Sequence, residues 1–175
     1  MPDETNQTQS PSWLRTIFIG RKPRFTLVRI VVLVVVTVVT FKFILVPIRI
    51  GGPSMMPTYR ENSINFVNRL AYRRHEPQRG DVVAIRLAGE HMMYMKRIVA
   101  LPGEKIEFAR GRLLINGREM AEPYVKYECR WNFTPRTKPL GPDEYYVVGD
   151  NRSMNHRDHT QGVASRYRIV GKVIL

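Results

Sequence analysis

The chain has 175 residues, with 28 Lys and Arg against 15 Asp and Glu, so its formal net charge is +13 at neutral pH. This length suits one modest domain with an appendage and excludes two full domains. Cys129 is the single cysteine, which excludes an intrachain disulfide and a thiolate metal cluster. The basic residues are spread along the chain, so the charge fits a solvated cationic surface, an anionic membrane or nucleic acid.

Residues 25–48 form the most apolar run of the chain. The run FTLVRIVVLVVVTVVTFKFILVPI carries only two charges, Arg29 and Lys42, which lie towards its ends. About 20 apolar residues in a helix cross a hydrocarbon core of about 30 Å, and basic side chains near the ends reach the headgroups. The run exceeds ordinary strand length, and no Ala-x-Ala-like cleavage site follows it. The sequence predicts an uncleaved transmembrane anchor helix over residues 25–48.

The flanks of the run predict its orientation. Basic residues precede its apolar centre, and the positive-inside rule keeps that end in the cytoplasm. Residues 1–24 are therefore expected to form a polar and basic cytoplasmic tail, and residues 49–175 an extracytoplasmic domain behind a single pass through the cell membrane. The basic residues are Arg15, Arg21, Lys22, Arg24 and Arg29.

Short strands bounded by Gly, Pro or Asn dominate the sequence after the anchor, and periodic helical stretches are absent. The pair Asn116-Gly117 predicts a β-hairpin turn. Residues 119–142 are rich in proline and aromatics and predict a long excursion from the main sheet, in which Trp131 and Phe133 either pack in the core or reach the membrane. The expected fold is mainly β: one transmembrane helix followed by an antiparallel sheet or barrel-like domain.

Two side chains stand out as candidates for chemistry. Ser54 lies in the loop GGPSMMPTYR just after the anchor, and Lys96 lies in MMYMKRIVALPG among apolar neighbours. Burial lowers the pKa of a lysine and leaves an amine that can take a proton from a serine. A lysine on a strand more often turns its ammonium to solvent. Either Lys96 or its neighbour Arg97 could be the exposed residue of this strand.

Five blocks of the chain, in order, resemble the type I signal peptidases, which are membrane-anchored Ser/Lys peptidases. SMMPT resembles the nucleophile box of that family, GDVVAI the following strand and YMKRIVALPGE the lysine box. LLING is similar to its hairpin and VVGDNR to its last box. The blocks occupy residues 54–58, 80–85, 94–104, 113–117 and 147–152.

The resemblance implies a role for each matching residue. Ser54 is the nucleophile and Lys96 the general base, while Met55 lies at the substrate-binding surface. Asp150 and Arg152 support the lysine strand. The implied reaction is cleavage of signal peptides after small-x-small sites, without a metal or cofactor. The implied partners are precursor proteins and the lipid membrane, and no nucleic acid is expected.

The oxyanion site departs from one family pattern, in which a serine two residues before the nucleophile donates its hydroxyl. Gly52 occupies that position here, and Pro53 has no N–H to offer. The backbone N–H of Ser54 is the remaining donor, and the loss of one donor costs about 3 kcal/mol of barrier lowering.

The last box departs further from the usual pattern of the family. The serine that usually bonds the catalytic lysine is replaced by Asn155, whose amide oxygen is able to accept from Lys96. The usual supporting Asp and Arg fall on Arg157 and His159, with Asp158 between them.

Other functions remain open at this point. His156, Asp158 and His159 suggest a metal site or a Ser/His/Asp triad with Ser54, against solvated loop histidines. The altered last box is compatible with an inactive module that binds signal peptides. A specialised conjugation or pilin-maturation peptidase of the same family is another alternative, and the charge of the chain leaves nucleic-acid binding as a third class of function.

Overall fold

The computed structural model describes residues 23–86, 93–159 and 162–174. The chain divides into two compact units, residues 1–42 and residues 43–175. The described part of the first unit consists mainly of helix α1 (Pro23–Val39). Its apolar side chains are exposed along the whole helix, and residues 24–44 are apolar and long enough to cross a membrane. The rest of the predicted cytoplasmic tail, residues 1–22, lies outside the described residues.

The helical part of the apolar run is shorter than the sequence predicts. A π-helical turn (Thr40–Ile44) follows α1, and strand β1 (Leu45–Arg49) begins directly after it. β1 is an edge strand that pairs antiparallel with β2 (Ile64–Asn68). Pro47 lacks an N–H and is tolerated at a sheet edge, while β-branched Val46 and Ile48 favour an extended backbone. Residues 45–48 therefore belong to the sheet.

The main sheet has seven strands and is antiparallel at every pairing. Besides β1 and β2, its strands are β3 (Val82–Arg86), β4 (Met93–Ala100), β8 (Glu144–Val148), β9 (Gly162–Ser165) and β10 (Ile169–Ile174). Their order is β1-β2-β10-β3-β4-β8-β9, so that β4 lies in the interior between β3 and β8.

A second antiparallel sheet contains β5 (Ile106–Ala109), β6 (Arg112–Ile115) and β7 (Arg118–Glu119). The predicted turn at Asn116-Gly117 joins β6 to β7, and both of its residues have positive φ, at 51° and 76°. Such a mirror-image turn matches the twist of a hairpin. Arg110-Gly111 makes a similar turn between β5 and β6, with φ of 49° and 76°.

The excursion predicted at residues 119–142 is present, because no named strand lies between β7 and β8 in the part of the chain that the structure describes. It packs on the second sheet through an isolated bridge between Phe108 and Phe133. Trp131 is buried edge-on against Phe108, and its Nε1–H donates to the Met154 carbonyl at 2.8 Å. Of the two environments expected for Trp131, the core and the membrane, the structure shows core packing.

The prediction of a mainly β fold with antiparallel strands after one apolar helix is confirmed.

Candidate active site

Ser54 lies in a short 3-10 turn (Pro53–Met55) between β1 and β2. The Met56 N–H donates to the Pro53 carbonyl at 3.0 Å and closes the turn. Beneath it, the side chain of Met55 is only 1% exposed and packs in a core cluster with Tyr59. The Met55 side chain holds the turn against the domain, and Ser54 remains partly exposed next to it.

Lys96 lies in the middle of β4, an interior strand of the main sheet. Its Nζ is 2.6 Å from Ser54 Oγ, and the lysine is 3% exposed. Burial lowers its pKa to about 8, although the Asp150 carboxylate opposes this change. Near neutral pH roughly a tenth of such a lysine is the free amine, which is the form that accepts a proton. The structure thus brings together the two residues predicted to react.

Asp150 is completely buried behind Lys96 and accepts three hydrogen bonds. Arg97 donates to its two oxygens through Nε at 2.8 Å and Nη2 at 2.6 Å, and Thr58 Oγ1 donates to Oδ2 at 2.6 Å. Arg97 also donates to the Gly80 carbonyl at 2.6 Å, with its guanidinium 4.0 Å from the centre of the Tyr124 ring. Asp150 therefore joins the lysine strand to the loop that carries the nucleophile.

Arg152 makes a second buried ion pair. Its Nη1 and Nη2 donate to the two oxygens of Glu122 at 2.9 and 2.5 Å, and its Nε donates to the Gly149 carbonyl at 3.0 Å. The rings of Phe108 and Trp131 lie 5.5 and 5.6 Å from the guanidinium. This pair fastens residues 119–142 to the loop after β8, and sequence reasoning did not identify Glu122.

The last box holds the nucleophile turn mainly through the backbone. The Asn151 N–H donates to the Ser54 carbonyl at 3.0 Å, and Asn151 Nδ2 donates to the Pro53 carbonyl at 3.2 Å. Gly149 lies so close that a methyl group there would collide with the Ser54 carbonyl and the His159 ring. A glycine is therefore required at position 149 by close packing.

His159 is buried, in contrast to the solvated loop histidine that the sequence favoured. Its Nε2 lies 2.7 Å from the Asn151 carbonyl, and a donated Nε2–H makes this a hydrogen bond. Nδ1 is buried with no hydrogen-bond partner in the part of the chain that is described. Burial lowers the pKa of this histidine. Since Nε2 is directed to Asn151, this histidine positions the last box and does not form a triad with Ser54.

Asn155 is engaged within its own loop. Its Oδ1 accepts from the Arg157 N–H at 3.0 Å, and its carbonyl accepts from the Asp158 N–H at 3.0 Å. Among the described residues, Ser54 is the hydrogen-bond partner shown for Lys96 Nζ. The structure does not bring the Asn155 amide to Lys96, because the side chain caps the local turn.

A cleft of about 540 Å³ opens over Ser54 and Lys96. This volume lies within the range of ordinary ligand sites. One wall is the end of β1 and the chain that leads to the nucleophile turn, residues 47–53, and the other is the first half of β4, residues 93–96. Met55, Met154 and Asp158 complete the lining.

The chain is similar to known proteins of one family. Residues 24–175 match the family described as signal peptidase, peptidase S26. Signal peptidase IB of Staphylococcus aureus is 29% identical over 163 residues, which cover 84% of this chain and 85% of that protein. Probable signal peptidase I-2 of Synechocystis is 29% identical over 132 residues, 72% of this chain and 60% of that protein.

A crystal structure of a signal peptidase I from Enterococcus faecalis matches with 25% identity and a TM-score of 0.49, and covers 57% of this chain and 97% of that one. The family match spans the apolar helix and all the residues of the site. The chain therefore belongs to the type I signal peptidase family, peptidase S26.

Proposed function

We propose that this signal peptidase cuts secretory precursors with Ser54 as its nucleophile and Lys96 as its general base. The observation that carries the proposal is the 2.6 Å separation of Lys96 Nζ and Ser54 Oγ. The low pKa of about 8 supports it, because a buried amine gives up its proton far more readily than a solvated one. The wider family assigns the peptidase activity, and the dyad supplies its chemistry.

The proposed reaction has two stages. Neutral Lys96 takes the hydroxyl proton as Ser54 Oγ attacks the scissile carbonyl carbon, and the resulting ammonium gives that proton to the leaving amine. The mature chain departs and leaves the signal peptide as an ester on Ser54. Lys96 then takes a proton from water, the hydroxide attacks the ester, and the proton returns to Oγ as the signal peptide leaves.

The Ser54 N–H is the proposed donor to the oxyanion that forms in each stage. Pro53 supplies no N–H, and the Asn151 amide that approaches the turn already donates to the Pro53 carbonyl. Without a hydroxyl at Gly52, the backbone N–H bears most of this stabilisation, and a preorganised donor is worth about 3 kcal/mol.

The precursor is proposed to lie in the cleft as an extended strand. Each wall includes a stretch of strand, from β1 and from β4, whose backbone offers main-chain hydrogen bonds to an extended peptide, while shallow pockets select side chains. Met55 lies beneath the cleft next to Ser54, where its buried side chain supports the nucleophile turn from below. Small residues at the first and third positions before the cut fit such a cleft, in agreement with the Ala-x-Ala pattern expected from the resemblance.

Residues 24–44 are proposed to anchor the enzyme by a single pass through the cell membrane. Arg24 and Arg29 lie at the start of the apolar segment, and the positive-inside rule places that end in the cytoplasm. Residues 45–175 then face the extracytoplasmic side, where signal peptides of exported precursors emerge from the lipid. The proposed partners of the enzyme are those precursors and the membrane.

The inactive signal-peptide-binding module is not favoured by the comparisons with curated peptidases. The close approach of Ser54 and Lys96 also opposes it, since a binding module has no need of a base against a hydroxyl.

The test uses the detergent-solubilised full chain and a precursor with an Ala-x-Ala site. We expect Ser54→Ala and Lys96→Met to abolish cleavage, whereas the matched controls Ser63→Ala and Lys105→Met, at positions outside the cleft, keep the wild-type rate. Retained cleavage in either dyad variant would refute the dyad. Loss of cleavage in His159→Ala together with an active Lys96→Met would assign the base to the histidine.

A further inference from the structure

One end of the seven-stranded sheet is joined directly to the membrane-length segment. Ile44 is the last residue of that segment, and β1 begins at Leu45. Asn68, at the end of β2, pairs with Leu45 on one side and with Lys172 of β10 on the other. The end of β2 and the beginning of β10 therefore lie at the same end of the sheet as the point where the chain leaves the apolar segment.

The loop that follows β2 starts against this point. The Arg69 N–H donates to the Ile44 carbonyl at 3.0 Å. Tight turns then order the chain: the Leu70 N–H donates to Asn68 Oδ1 at 2.9 Å, and the Arg73 N–H donates to the Leu70 carbonyl at 3.2 Å. We call residues 69–74 the arginine loop. Its backbone is fixed at the exit of the apolar segment.

The arginine loop carries three exposed positive charges. Arg69, Arg73 and Arg74 are all exposed, and none of them forms an ion pair with the described residues. Other arginines of the domain are paired, for example Arg79 with Glu104 and Arg136 with Glu144. Three neighbouring cations without acidic partners attract an anionic surface.

An exposed tyrosine lies at the same end. The turn before β10 is held to the arginine loop because Arg166 Nη2 donates to the Tyr72 carbonyl at 2.9 Å. The next residue, Tyr167, is 79% exposed, and the guanidinium of Arg168 lies 5.7 Å from its ring centre. A tyrosine with an apolar ring and a polar tip, flanked by arginines, is typical of the boundary between lipid and water.

Acidic groups at this end do not cancel the charge. Glu76 is bonded to Arg166 at 2.6 Å. Asp143 is exposed next to the same turn, where its carbonyl accepts from the Arg166 N–H at 2.8 Å. Asp81, which accepts from the Tyr72 hydroxyl at 2.9 Å, is paired with Lys172 at 2.6 Å. Of these acidic residues, Asp143 is the one without an ion pair to the described part of the chain.

We propose that the arginine loop and Tyr167 form a surface that binds anionic phospholipid headgroups and holds this end of the sheet against the membrane. The proposal rests on the proposed membrane span, because the apolar segment brings the sheet end to the bilayer. Basic groups next to a membrane attract anionic lipids over about one Debye length, so the contact is sensitive to salt.

The test uses the full chain in nanodiscs of phosphatidylcholine with or without phosphatidylglycerol, followed by amide hydrogen exchange. We expect exchange in residues 69–75 and 166–169 to slow about fivefold with the anionic lipid, and the protection to disappear at high salt. Arg69→Gln/Arg73→Gln/Arg74→Gln should remove the protection. Lys105→Gln/Arg110→Gln/Arg118→Gln, three exposed cations on the second sheet and its turns, should keep it.

Equal exchange in the two lipids, or equal loss of protection in both triple variants, would overturn the lipid surface. Protection reproduced by inorganic phosphate in phosphatidylcholine nanodiscs would also overturn it, by assigning a site for free phosphate. Failure of the full chain to enter nanodiscs would instead contradict the membrane span. Cleavage of a precursor by the same preparations tests the dyad separately.

Discussion

The pairs Arg97–Asp150 and Arg152–Glu122 are both buried and bidentate, yet only the first lies in electrostatic contact with Lys96. Asp150 raises the pKa of Lys96 against the effect of burial. It also accepts from Thr58 on the nucleophile loop. The Arg152–Glu122 pair has no such influence on the lysine and instead fastens residues 119–142 beside the rings of Phe108 and Trp131.

The difference shows that two similar ion pairs from adjacent parts of one loop have separate functions. The Asp150 pair determines both the position and the proton affinity of the base. The Arg152 pair determines whether the excursion stays packed on the domain. Substitutions in the first should therefore change stability and pH dependence together, and substitutions in the second should change stability alone.

The largest effect is expected for Asp150→Ala. The change leaves the Arg97 guanidinium buried without its carboxylate and removes the acceptor of Thr58. Loss of one partner of a buried pair costs about 3–5 kcal/mol of unfolding free energy. Urea unfolding in detergent measures it, with the exposed Asp143→Ala as control, expected within about 0.5 kcal/mol of wild type. Equal stabilities of the two variants would contradict the structural role of Asp150.

Glu122→Gln is expected to lower the unfolding free energy by about 3 kcal/mol, because Arg152 stays buried and charged next to a neutral amide. Cleavage by the folded enzyme should keep its wild-type pH profile, since Glu122 does not affect the pKa of Lys96. Urea unfolding and kcat/KM against pH provide the two measurements. A shift of the pH profile in Glu122→Gln would show that the Arg152–Glu122 pair also influences Lys96.

The pH dependence of kcat/KM should follow Lys96. Below a pH of about 8 the lysine is an ammonium and cannot accept the Ser54 proton, so activity rises with pH and reaches half its maximum near pH 8. Asp150→Asn removes the charge that raises this pKa, and the midpoint should move to lower pH. A shift of one pH unit in this midpoint corresponds to about 1.4 kcal/mol in the free-energy difference between the ammonium and the neutral amine. A midpoint that is unchanged or moves upward would contradict the coupling.

The smallest effect is expected for Asn155→Ala. Its Oδ1 caps a local turn through the Arg157 N–H, so kcat/KM should change less than about twofold and the midpoint in pH should stay constant. Steady-state cleavage over a range of pH measures both. A displaced midpoint would restore the role behind Lys96 that the resemblance implies for this asparagine.

Several parts of the site were not predictable from local sequence. Alternation along a strand places Lys96 and Arg97 on opposite faces and suggests that one of them meets solvent. β4 lies inside the sheet with both faces covered, so both are buried. A buried arginine needs a carboxylate as its partner, but the sequence alone does not show which acidic residue pairs with Arg97.

His159 illustrates the same difficulty. Polar neighbours in SMNHRDH suggest a solvated loop, but Trp131 packs edge-on against the ring at 5.1 Å. At the other end of the domain, apolar composition extended the predicted anchor to residue 48, because a β-branched edge strand and a membrane helix have similar composition. Pairing with β2 distinguishes them.

The sequence by itself determined the apolar segment, the β class of the domain and the Asn116-Gly117 turn, because each depends on residues close together in the chain. Its ordered blocks also selected Ser54 and Lys96. Only the tertiary structure decided that these two residues meet at 2.6 Å, that the base has a pKa of about 8, and that Asp150 rather than Asn155 lies behind it. Burial and charge pairing depend on strands that are distant in sequence, and local patterns carry no record of which partner each side chain finds.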